Sequence, residues 1–83
     1  MIPLDRIGKV KKGSLAGWYI QAQEIEMPKG ILVSRASNAD MEETLVLDGI
    51  FPDQAKLEEF FATNAPVVDW HEARNDLKVE TDS

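Results

Sequence analysis

The chain contains no cysteine, one histidine, one tyrosine and two tryptophans among its 83 residues. Without thiols there is no disulfide framework and no thiolate zinc site, so packed side chains alone must hold the fold. No apolar run approaches the ~20 residues of a membrane-spanning helix, and Met1–Arg6 lacks the basic-then-apolar pattern of a secretion signal. The expectation is a soluble cytoplasmic protein with no membrane partner. Internal repeats and low-complexity tracts are absent as well, and 83 residues suffice for a single domain.

Phosphate-binding glycine loops are missing too. Gly8, Gly13 and Gly17 fit neither the P-loop, with its Gly-Lys-Ser/Thr ending, nor a dinucleotide fingerprint opening a helix. Gly13-Ser14-Leu15-Ala16-Gly17 is one residue out of phase with a nucleophile elbow. His71-Glu72 is followed by Asn75 where a zinc-protease helix would carry its second histidine. No cofactor and no metal are expected. One pair remains for chemistry: on a strand, Asp69 and His71 point to the same face and could act as acid and base. No nucleophile or second ligand cluster accompanies them. A solvated strand end explains His71 better, and the protein is read as a non-enzyme.

What is present is charge, unevenly placed. The total is −6. Residues 1–16 carry Arg6, Lys9, Lys11 and Lys12 against Asp5, a net +3, and residues 17–83 carry −9. An acidic body opposes general nucleic-acid binding, which relies on cations neutralising phosphates, and favours encounter with a basic partner.

Hydropathy and turn residues predict the order β-β-β-β-α-β. Leu4–Lys12 suits an edge strand, its lysines discouraging further pairing. Gly17–Glu26 is the clearest strand, with Trp18, Ile20 and Ala22 on one face and Tyr19, Gln21 and Gln23 on the other. Met27-Pro28-Lys29-Gly30 turns the chain into a return strand, Ile31–Ala36. Ser37–Asp40 matches a capping pattern and opens either one helical turn or a polar loop. Thr44–Asp48 reads as a third central strand ended by Asp48-Gly49. Pro52–Thr63 reads as the helix, with Asp53 near its positive end, the stripe Leu57, Phe60, Phe61, and Asn64 as its stop. Val67–His71 is a last short strand.

The expected fold is therefore α+β: a mostly antiparallel sheet of four to five strands with one helix on one face. A small β-barrel with an appended helix is the alternative. The ordered core should span about 4–71 and a loose charged tail about 72–83. Trp18, Ile20, Leu45 or Val46, Leu57, Phe60, Phe61 and one of Val68 or Trp70 should fill the layer between sheet and helix.

Gly17-Trp18-Tyr19-Ile20, Ile31-Leu32-Val33, Leu57-Glu58-Glu59-Phe60-Phe61 and Asp69-Trp70 form a layout that resembles small acidic bacterial immunity or toxin-inhibitor proteins. The resemblance spans residues 17–70 and rests on layout and charge. It implies a non-catalytic inhibitor that covers the active site of a cationic toxin through charge complementarity. The candidate protein-binding residues are Glu42, Glu43, Asp48, Asp53, Glu58, Glu59 and Asp69, with Tyr19 and Trp70 as aromatic anchors if exposed. The basic amino-terminal segment departs from a uniformly acidic inhibitor. It raises an alternative, a small nucleic-acid or ribonucleoprotein accessory using Arg6, Lys9, Lys11 and Lys12 beside Trp18 and Tyr19. A homodimer through an exposed hydrophobic hairpin is a further alternative.

Overall fold

The computed structural model describes residues 1–70. Their order is β1 (Ile7–Lys12), β2 (Tyr19–Glu26), β3 (Lys29–Ala36), β4 (Val46–Phe51), α1 (Gln54–Asn64) and β5 (Val67–Trp70). The strands form one open antiparallel sheet in the spatial order β4-β3-β2-β1-β5. The α+β expectation holds, and the sheet does not close into a barrel. The proposed tail, 72–83, and His71 lie outside the described residues.

The β2–β3 hairpin is fully paired, from Tyr19 opposite Ala36 to Glu26 opposite Lys29. Directly paired residues share a face of a sheet. Ile20, Ala22, Ile31 and Val33 thus form one face, and there they meet Leu57, Phe61, Val10 and Ala65 in the core. The helix packs by its Leu57 and Phe61 stripe, with Phe60 half-buried at the margin. Asp53 caps it, its Oδ1 accepting the Lys56 N–H at 3.0 Å, so the helix starts after Pro52 rather than at it. The helix ends at Asn64 with Ala65 as its C-cap: the Ala65 N–H donates to the Phe61 carbonyl at 2.7 Å, and the Asn64 side-chain amide donates to the Phe60 carbonyl at 3.0 Å. The amino terminus is stitched to the helix start by a reciprocal pair, Ile2 N to Gln54 Oε1 and Gln54 Nε2 to the Ile2 carbonyl, each 3.0 Å.

Two strands take places that their composition argues against. β1 lies inside the sheet, between β2 and β5, and is not an edge. Its Gly8 and Val10 face the helix, while Lys9 faces the opposite side, where its Nζ sits 4.9 Å from the Tyr19 ring centroid. β4, read as central, is an edge. It also runs on past Asp48-Gly49 to Phe51. The pairing shifts by one residue there, and Gly49 at φ 147° carries the chain through the irregularity.

The Ser37–Asp40 segment is a loop, not a helical turn. The Asn38 side-chain oxygen accepts the N–H groups of Glu42 and Glu43 at 2.9 Å each, and so satisfies the loop from within. The core also differs in detail from expectation. Trp18 is half-buried and Leu45 is 54% exposed, whereas Val10, Ala22, Ile31, Val33 and Ala65 are buried. Both Val68 and Trp70 pack against the core margin.

Candidate functional site

The candidate acidic residues do not form one patch. Glu42 and Glu43 are exposed in the loop that leads into β4, Asp53 is exposed at its far end, and Glu59 is exposed on the adjoining helix. Glu58 is exposed and stands 3.6 Å from the amino-terminal amine. Asp69 lies on β5, the opposite edge of the sheet. Four strand spacings of ~4.8 Å separate the two edges, roughly 19 Å. Asp69 therefore cannot share a compact surface with Glu42, Glu43 and Asp53.

Asp48 has a different role from the other acids. Its carboxylate accepts the Arg35 Nε–H at 2.8 and 3.0 Å, and the two side chains are only 10% and 20% exposed. The Arg35 guanidinium also lies 4.5 Å from the Trp18 ring centroid. Trp18, just before β2, thus stacks with Arg35 of β3, the partner of Asp48 of β4. Arg35 was not singled out from sequence, because nothing local distinguishes it from any solvated strand arginine.

The aromatic candidates are partly engaged. Trp70 is half-buried, its ring centroid 5.8 Å from that of Phe61, and its Cε3 atom presses on Gly8. Tyr19 is half-buried beneath Lys9. Both are weaker anchors than exposed rings would be.

The basic candidates lie on or just before β1 and differ in exposure. Lys11 and Lys12 are exposed, while Lys9 and Arg6 are half-buried. Lys9 lies over the Tyr19 ring, and Asp69 is its register partner on β5. Asp69 is exposed, and its intended acid–base companion His71 lies outside the described residues. Among the described residues, no three His, Asp or Glu side chains gather to hold a metal ion. Nor is any described helix long and apolar enough to cross a membrane.

A concavity lies where β4 meets α1. Phe51, Pro52, Lys56, Glu59 and Phe60 line a shallow groove of about 490 Å³. The Phe51 and Phe60 rings stand 5.1 Å apart in its wall. On the other face of the same strand, Leu47 is 64% and Ile50 46% exposed. Their pairing with Ser34 and Leu32 places both on the face away from the helix. β4 is thus an edge strand with apolar surface on both sides and carboxylates at both ends. Comparison of the chain with family models, with curated proteins and with solved structures found no match.

Proposed function

We propose that this chain is a non-catalytic protein-binding domain of the cytoplasm, an immunity-like inhibitor that engages a basic partner through its acidic surface. The observation that carries the reading is the setting of Glu42, Glu43, Asp53 and Glu59, exposed carboxylates that flank the β4 edge and its apolar groove. Charge of one sign around apolar surface gives steering on approach and burial on contact. Asp48 supports the surface from behind, as the partner of Arg35, and Asp69 and Trp70 stand apart from it. The nucleic-acid alternative draws less support, since Lys9 is half-buried over the Tyr19 ring and the chain carries a net charge of −6.

The test is capture from native cells with the unmodified protein beside a variant carrying Glu42→Lys, Glu43→Lys and Glu59→Lys. These positions are exposed and make no cap, so the fold should persist. The reading expects a basic protein, identified by mass spectrometry, that binds the unmodified chain and is lost from the variant. Equal capture by both would overturn it.

A further inference from the structure

We propose that the free edge of β4 accepts an extended, lysine- or arginine-flanked segment of the partner protein as an added sixth strand. The inference rests on the acidic-surface reading above and specifies how that surface binds.

Three observations converge on this edge. β4 ends the sheet, and no described strand pairs with its outer side. Main-chain groups on such an edge are a ready template for another strand. Both faces beside it are apolar: Phe51, Pro52 and Phe60 on the helix side, and Leu47 and Ile50 on the other. A strand sends successive side chains to opposite faces. An added strand would thus place alternate side chains in the Phe51–Phe60 groove and over Leu47 and Ile50. The third observation is charge. Glu42 and Glu43 precede β4, and Asp53 and Glu59 follow it, while Lys56, the basic residue in the groove, stands 3.9 Å from Glu59. Carboxylates at both ends favour a segment basic at both ends, with apolar and β-branched residues between.

The same charges argue against a second copy as the occupant. Antiparallel pairing of β4 with itself about the Asp48–Gly49 bond would set Leu47 opposite Ile50, which suits both. It would also bring the Glu42-Glu43 loop of each copy toward the Asp53 end of the other, between two chains of net charge −6. The irregularity at Asp48–Gly49 and the inward-turned Asp48 are devices that deter flat, unselective strands. They leave the edge open to a segment that matches it.

The probe is a synthetic nonapeptide, Lys-Lys-Val-Thr-Val-Thr-Val-Lys-Lys, titrated into isotopically labelled protein and followed by amide NMR. The expected shifts concentrate on residues 46–51 and Phe60. N-methylating the peptide nitrogens that face β4 should weaken binding by roughly tenfold or more, because main-chain hydrogen bonds carry an added strand. Leu47→Lys, at an exposed position, should weaken it similarly with the protein's spectrum otherwise intact. A peptide with Glu in place of its Lys ends should not bind. No binding of the parent peptide, or shifts centred on Lys9 and Tyr19, overturns the inference. So does a dimer detected by light scattering with residues 46–51 already engaged. If the N-methylated and parent peptides bind equally and salt weakens both, edge pairing fails while the acidic-surface reading stands. If the Glu-ended peptide binds residues 46–51 as well as the Lys-ended one, the acidic-surface reading fails, and with it the basic occupant inferred here.

Discussion

Arg35 Nε stands 2.8 Å from Asp48 Oδ1 and 3.0 Å from Oδ2, and the pair ties the edge strand β4 to its neighbour β3 at the point where their register shifts. With side chains 20% and 10% exposed, it is a largely desolvated pair, and removing one partner leaves the other charge stranded. The Trp18 ring adds a cation–π contact to the same guanidinium.

Asp48→Ala should therefore destabilise the protein by about 2–3 kcal/mol. Arg35→Lys should recover only part of the wild-type stability, because an ammonium has neither the planar donor nor the stacking face of a guanidinium. Urea melts followed by circular dichroism measure both. A loss below about 0.5 kcal/mol for Asp48→Ala, the range of ordinary surface changes, would place the pair among solvated ion pairs.

The position of β4 explains where sequence reading succeeded and where it stopped. The β2–β3 hairpin was legible because aromatic and β-branched runs flank a proline-glycine turn. The helix was legible from Leu57, Phe60 and Phe61 at helical spacing. Edge and centre were not, since they depend on pairing order rather than local composition. Lys9 and Lys11 suggested an edge for β1, yet an inner strand can hold lysines on the face away from the helix, and Lys9 rests on Tyr19. Asp48-Gly49 looked like a strand end, but Gly49 at positive φ lets the strand pass through an irregularity. Trp18 looked like core because it shares parity with Ile20, yet it sits beside Arg35, beyond the cluster that the helix covers. The acidic candidates were legible as residues but not as a surface. Their division between the two sheet edges follows from topology alone.

Gly8 tests the packing of β5 on β1. A Cβ there would lie 2.4 Å from Val68 Cγ1 and 2.7 Å from Trp70 Cε3. Gly8→Ala should cost about 1–3 kcal/mol, the range for overpacking a filled site. A thermal melt compared with wild type gives the answer, and an unchanged Tm would mean that β5 can move off β1 without loss.

Leu57 and Leu47 form a matched pair of truncations. Leu57 is fully buried, and Leu57→Ala should cost about 2–5 kcal/mol. Leu47 is 64% exposed, and Leu47→Ala should stay within about 0.5 kcal/mol. Denaturant midpoints for the two variants check the contrast. Comparable losses would mean that the open face around Leu47 is part of a packed core.

The cap at Asp53 gives a smaller and more specific effect. Asp53→Ala removes the acceptor of the Lys56 N–H and should cost about 1 kcal/mol, while Asp53→Asn should retain most of the stability. Equal losses for the two would assign the effect to the charge at the helix start rather than to the hydrogen bond.

The proposed steering of a basic partner onto the β4 edge by the neighbouring carboxylates is read out in the association rate constant, by stopped flow, for the partner captured from native cells. Wild-type association should slow by roughly tenfold or more as salt rises from ~50 to ~500 mM, since screening shortens the reach of surface charge. The variant with Glu42→Lys, Glu43→Lys and Glu59→Lys should associate slowly at every salt concentration. A rate indifferent to salt and to those three substitutions would contradict that steering.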